Sequence, residues 1–329
     1  MSPTGARRLG ASAIAKNLAP YLIAAVALGW VLHHTDRHKL MDALHRAPML
    51  AFIAMSALML VVNCAADTFA MTSVFGRFGC RVCYKDLYLV RASTYLLAVV
   101  NYHVGQAAIV GYLYRVRRVP LLRASGWILF IIGINVGTLF LLASAGATRV
   151  TGQLEILRLI PVLCGVGIVV YAILLTWKPR LLAERRILQP LFEMGIPGHV
   201  FGVLVRLPHI CVLLVWHFVS LHMFGVQVTP GAALLYLPAY FAVQSLPINV
   251  NGLGVAQLVA VYFFAPYFHN PAGLGDPLLG RPAVIAYSLA TAGISILLQL
   301  VLGLICLRWA TARGLKPQPI PDVAEAATG

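Results

Sequence analysis

Acidic residues are scarce in this chain. Ten Asp and Glu stand against 25 Lys and Arg in 329 residues, and all four types together make up 11%. A soluble domain carries roughly a quarter charged residues to cover its surface. That shortage excludes a water-facing globular body. Other absences bear on chemistry. There is no nucleophile–base–acid set, no phosphate-binding Gly loop followed by Lys, and no polar stretch long enough for a soluble catalytic domain. The six cysteines offer one lone C-x-x-C, Cys80 and Cys83, with no second pair or histidines at ligand spacing. His33, His34, His38 and His45 fall in one loop, and no two intramembrane histidines face each other as haem or metal ligands do. The sequence therefore implies no enzyme and no cofactor.

What fills the chain is apolar. Hydrophobic residues reach 60% and the mean hydropathy is +0.85, so most of the surface must face lipid. The net charge of +15 would suggest nucleic acid in a soluble protein. Here the cations cluster in short loops between apolar runs, as topology determinants do, and nucleic acid is excluded as a partner. Attraction to anionic lipid headgroups follows instead.

The first run, Leu18 to Leu32, follows Arg7, Arg8 and Lys16 and lacks a small-residue cleavage site after it, so it reads as an uncleaved span. Further runs occupy 49–75, 86–100, 104–114, 124–146, 158–177, 200–224, 231–248, 252–268 and 282–307. A helix rises 1.5 Å per residue and needs about 20 residues to cross a core about 30 Å thick. The runs 86–100 and 104–114 are too short to cross singly, and 231–248 with 252–268 are borderline. With the N-terminus placed in the cytoplasm, seventeen Lys and Arg fall in cytoplasmic segments and six in outer loops, leaving Arg91 and Arg206 inside apolar runs. This is a strong positive-inside bias. It requires 86–114 to return to the cytoplasmic face and 231–268 to the outer face, whether each dips or crosses.

The expected fold is an all-α polytopic membrane protein, a single integral domain over 1–329 in the cell membrane with both termini cytoplasmic. It holds about six full transmembrane helices plus two helical hairpins. The halves 49–146 and 200–307 form an inverted repeat: span, hairpin, span, then the same three elements upside down. Broken segments at matching positions of inverted halves point to a transporter-type site. Between the halves, 180–196 reads either as an amphipathic interfacial segment or as a linker interrupted by Pro190; the tail from Lys316 reads as disordered.

The hairpin tips read Asn101-Tyr102-His103-Val104-Gly105-Gln106 and Pro247-Ile248-Asn249-Val250-Asn251-Gly252-Leu253-Gly254. Gly permits the turn, and Asn can bond its own backbone there. Helices restarting at about Val104 and about Gly252 would aim free N–H groups and a positive dipole end into the bilayer, a ready anion site. Asn101, His103, Gly105, Gln106, Asn249, Asn251, Gly252, Gly254 and Gln257 are thus candidate substrate-binding residues.

The second tip, from Ser245-Leu246-Pro247 to Asn251-Gly252-Leu253-Gly254-Val255-Ala256-Gln257, resembles the Pro…Gly-Gly-Leu-Gly-Val-Arg-Glu signature of a known family. That family is the flippase-like membrane proteins sharing the transmembrane region of lysylphosphatidylglycerol synthase. Val104-Gly105-Gln106 ahead of Arg115-Val116-Arg117-Arg118 is similar to its Gly-Glu/Asp-x-x-Arg stretch before a basic loop. The likeness covers roughly 49–307 and implies a translocator of lipid or lipid-linked headgroups, anionic or glycosylated. The chain departs from the pattern where the family has charge: Ala256 and Gln257 replace its Arg and Glu, while Gln106 and Ile109 replace its acid and Arg. Either the substrate is less charged, or the chain is a non-transporting relative serving a separate lipid- or glycan-modifying enzyme.

Ionisable groups inside spans are costly and are functional candidates. Asp67 lies about 12 Å from the cytoplasmic end of its span, counted by helical rise, with Asn63 one turn beyond. Arg91, at comparable depth, is its expected partner. Arg206, His209, His217 and Ser220 share one arc of the span 200–224, and Ser288, Thr291, Ser295 and Gln299 share an arc of 282–307. These stripes either line a wet cavity or glue packed helices.

Overall fold

The computed structural model describes residues 26, 29–30, 33–99, 101–147, 159–244 and 255–313. Among them the chain is helical, with one isolated bridge between Val226 and Phe268 and no strand. Five helices are long and apolar enough to cross a membrane: α2 (Met49–Arg77), α6 (Leu121–Ala147), α7 (Leu159–Trp177), α9 (Gln189–Met223) and α12 (Pro277–Ala312). The first expected span, Leu18 to Leu32, lies mostly outside the described residues, as do the second tip and the tail.

Shorter elements fill the intervals. α1 (Arg37–Arg46) occupies what the charge pattern assigns to a loop; Asp36 caps it, its carboxylate accepting from the His38 and Lys39 amides. The first hairpin is α3 (Tyr84–Ser93), one turn α4 (Tyr95–Ala98) and α5 (Tyr102–Arg117). The second comprises α10 (Pro230–Gln244) and α11 (Val255–Phe264), and a 3-10 turn at Ala265–Tyr267 follows. Within 180–196 the linker holds one separate helical turn and the start of the next helix, which breaks at Gly195. α8 (Arg180–Ala183) stands apart, and α9 begins at Gln189 with a short piece that Gly195 separates from the long remainder. Pro190 sits in the first turn of that helix, where no amide partner is needed, so it starts the helix rather than interrupting a linker.

Sequence spacing explains which faces are buried. On α2, Phe52, Ser56, Leu60, Cys64, Asp67, Met71 and Val74 are buried at intervals of three and four, one stripe of a helix. The opposite stripe, with Leu50, Leu58, Val61 and Phe69, is exposed. By contrast α7 buries only Leu175 and stands at the edge of the bundle.

Packing exchanges elements between the halves. α10 of the second hairpin packs against α6, the last span of the first half, and α3 of the first hairpin packs against α12, the last span of the second. α2 and α9, the first spans, pack on each other. Both exchanges bring backbone close. A Cβ at Gly146 would lie 2.4 Å from the Leu235 nitrogen, and one at Gly303 would lie 3.3 Å from the Ala92 carbonyl oxygen of α3. One apolar core gathers around α9, α10, α11 and α12, another around α2, α3, α5 and α6. Along α2, Phe52 belongs to the former and Met71 to the latter. Asp67 falls on the stretch between them.

Candidate functional site

The buried stripe of α2 carries Asp67 into contact with two cations. Arg91, near the end of α3, donates from Nε to Asp67 Oδ2 at 2.5 Å. Arg206, on α9, donates from Nη1 to the other carboxylate oxygen, Oδ1. The expected Asp67–Arg91 pair is therefore a triad, with its third member supplied by the other half of the chain. Arg91 also donates from Nη1 to Thr94 Oγ1 at 3.1 Å and lies 5.1 Å from the centre of the Tyr95 ring. Arg206 donates from Nε to Asn135 Oδ1 on α6 at 3.0 Å. His209, one turn from Arg206, pairs through Nδ1 with the Asn63 carbonyl at 3.3 Å. A carbonyl only accepts, so the His209 proton sits on Nδ1.

The charge does not balance. Among the described residues, Asp67 is the only buried carboxylate, and Arg91 and Arg206 are the only buried arginines or lysines. With His209 neutral, the cluster holds one surplus positive charge. Burying an ion without compensation costs several kcal/mol, so this surplus is costly to hold inside the bundle.

The first hairpin tip lies beside this cluster. Asn101 caps α5 in extended backbone, its side chain accepting from the His103 amide at 2.8 Å. α5 therefore begins at Tyr102, two residues before the expected restart. Tyr102 and Gln106 stand four residues apart on α5, the first exposed and the second buried. The His103 side chain is exposed, so this residue serves the tip through its backbone. Gly105 has a packing role: a Cβ there would meet Ala98 Cβ at 3.0 Å and the Thr94 carbonyl at 3.2 Å.

In the second hairpin, Asn249, Asn251, Gly252 and Gly254 lie outside the described residues. In the described part of α11, both Ala256 and Gln257 are fully buried. The two polar stripes on α9 and α12 meet through a residue neither contained: His217 Nδ1 lies 2.5 Å from the Tyr287 hydroxyl. His217, Ser220, Ser288 and Thr291 are buried, whereas Ser295 and Gln299 are half-buried.

Sequence reading missed Asn135 and Thr94, ordinary polar residues whose role depends on what faces them. It also left Arg206 without its partner. The C-x-x-C stays unpaired: Cys80 and Cys83 are free thiols, and burial pushes the Cys80 thiol above its usual range. No group of His, Cys, Asp or Glu able to hold a metal ion occurs among the described residues.

The chain matches no protein-family model, no curated protein and no solved structure.

Proposed function

We propose that this protein is a flippase-like translocator of lipid or lipid-linked headgroups, anionic or glycosylated, in the cell membrane, with both termini cytoplasmic. The observation that carries this reading is the surplus guanidinium charge buried at Asp67, Arg91 and Arg206. A charge held inside a membrane bundle is expensive, and function is the ordinary reason to keep it. Arg91 comes from the first hairpin, Arg206 from the first span of the second half, and Asn135 closes the cluster from a third element. A site shared by both halves can open toward either face as the halves rock, which is how inverted-repeat carriers work. The exchange of packing partners between hairpins and terminal spans supports that symmetry. The Asn101-capped start of α5 adds a positive dipole end beside the cluster.

The test is transport by the purified protein in liposomes. Fluorescent phosphatidylglycerol in the inner leaflet should become accessible to a membrane-impermeant quencher. Arg206→Gln should slow that exposure about tenfold, the worth of one charge-assisted hydrogen bond. Exchange no faster than in empty liposomes would defeat the reading.

One observation favours a second reading, a membrane subunit supporting a separate lipid- or glycan-modifying enzyme. Ala256 and Gln257, standing where the resembled family has charge, have no exposed surface, and Ala256 belongs to the core around α9, α10, α11 and α12. Co-purification of such an enzyme, with liposomes of the protein alone inactive, would decide for it.

A further inference from the structure

We infer that Asp67 is a resident counter-ion that sets the charge of the accepted ligand, and that the ligand is a monoanionic phosphodiester bound to Arg206. This deepens the headgroup-binding reading above and rests on it.

The asymmetry of the cluster assigns the roles. Arg91 is held by Asp67, by Thr94 and by the Tyr95 ring. Arg206 has Asp67 and the neutral Asn135. Asp67 can neutralise only one of them, and Arg91 is the better anchored. Both guanidiniums commit Nε and Nη1 to these bonds, and among the described residues their Nη2 groups carry none. A guanidinium fork recognises two oxygens that share a charge. A phosphodiester presents two non-bridging oxygens sharing one negative charge, as Asp67 does. It can take over Arg206 while Asp67 stays on Arg91. On α5 the buried Gln106 has a side-chain oxygen with no bond, an unsatisfied polar group at the hairpin tip that follows Arg91 and Thr94.

Charge arithmetic then selects the ligand. The resting cluster holds one surplus positive charge, and a monoanion brings it to zero. A phosphomonoester dianion overshoots, and its desolvation cost grows with the square of its charge. A zwitterion leaves the surplus uncompensated. Removing Asp67's charge should raise the optimum by one.

The experiment measures binding to the purified full chain at pH 8, using dihexanoyl phosphatidylglycerol, phosphatidic acid and phosphatidylcholine, with dimethyl phosphate as a chain-free phosphodiester. The native protein should bind the phosphatidylglycerol about tenfold tighter than the other lipids, the size of one charge-assisted bond. Asp67→Asn should reverse the order toward phosphatidic acid. Asp67→Asn with Arg91→Gln, whose net charge equals the native value, should restore it. Arg206→Gln should abolish the preference. Should Asp67→Asn fail to fold, the double variant and Arg206→Gln decide. Equal affinity for the mono- and dianionic lipids, or an unchanged order in Asp67→Asn, would overturn the charge-setting role while the headgroup reading stands. Lipids bound indiscriminately by native protein and Arg206→Gln alike would remove the headgroup reading itself. Dimethyl phosphate binding as tightly as phosphatidylglycerol would make the ligand a free phosphodiester and overturn its assignment as a lipid.

Discussion

Arg206 and Asp67, 139 residues apart in the chain, share a hydrogen-bonded ion pair, and Arg91 holds the other oxygen of the same carboxylate. The two guanidiniums reach Asp67 from different elements, so the pair locks α9 to α2 and α3 together. Breaking a buried pair by removing one partner typically costs about 3–5 kcal/mol, because the other charge is left uncompensated. The triad changes what each substitution leaves behind.

Asp67→Asn leaves two cations and no anion, and should be the most damaging single change, at about the full cost of a broken buried pair. Arg91→Gln or Arg206→Gln leaves a balanced pair and should cost less, about 1–3 kcal/mol for the lost bonds. Combining Asp67→Asn with Arg91→Gln returns the charge to the native value and should be milder than Asp67→Asn alone. Thermal unfolding in detergent compares the four. Effects that simply add would show that the residues do not interact.

Gly195 breaks α9 with φ 56° and ψ −175°, a region essentially restricted to glycine and costing other residues about 1–3 kcal/mol. The His199 Nδ1–H group donates to the Gly195 carbonyl at 2.7 Å, leaving Nε2 to accept from the Tyr171 hydroxyl at 2.8 Å. That chain ties α7 to the break. Gly195→Ala should lower the unfolding temperature, and His199→Ala should do so less. A native-like unfolding temperature for Gly195→Ala would mean the break is dispensable.

The tip of the first hairpin should be reachable from the cytoplasm through His103, whose side chain is exposed. In a background without native thiols, His103→Cys should react with a small hydrophilic reagent added on that face. Gly105→Cys should label poorly and fold less well, since its Cβ would press on Ala98 and the Thr94 carbonyl. Labelling of His103→Cys only from the opposite face would reverse the hairpin's assigned side.

Ala256→Arg, which restores the charge of the resembled family, should lower the folded yield. Ala256 has no exposed surface, so the longer side chain overpacks the core, at about 1–3 kcal/mol, and buries a charge. Gln257→Glu added to it supplies a partner and should recover part of the loss. Size-exclusion profiles after expression would report both. A monodisperse Ala256→Arg protein with native yield would imply space at that position that burial denies.

The amino-acid sequence by itself determined the helical class and, of about six expected spans, the five apolar helices of spanning length among the described residues, because apolar run length and period are local properties. It marked the hairpin break at Asn101, since an Asn that accepts from the amide two residues on is a short-range event. It also marked Asp67 and Arg91 as exceptional, because a charge in an apolar run is costly whatever surrounds it. α1 escaped notice for the opposite reason: six of its ten residues are polar or charged, and its apolar ones form no run long enough to stand out. Only the tertiary structure decided that Asp67 has two arginines and that Asn135 and Thr94 complete their bonds. It also decided that His217 meets Tyr287 and that Gly105 serves packing. Each depends on which faces of distant helices meet, and no local pattern carries that information. The surplus charge follows from both. Sequence supplied one acid and two bases, and packing placed all three in contact.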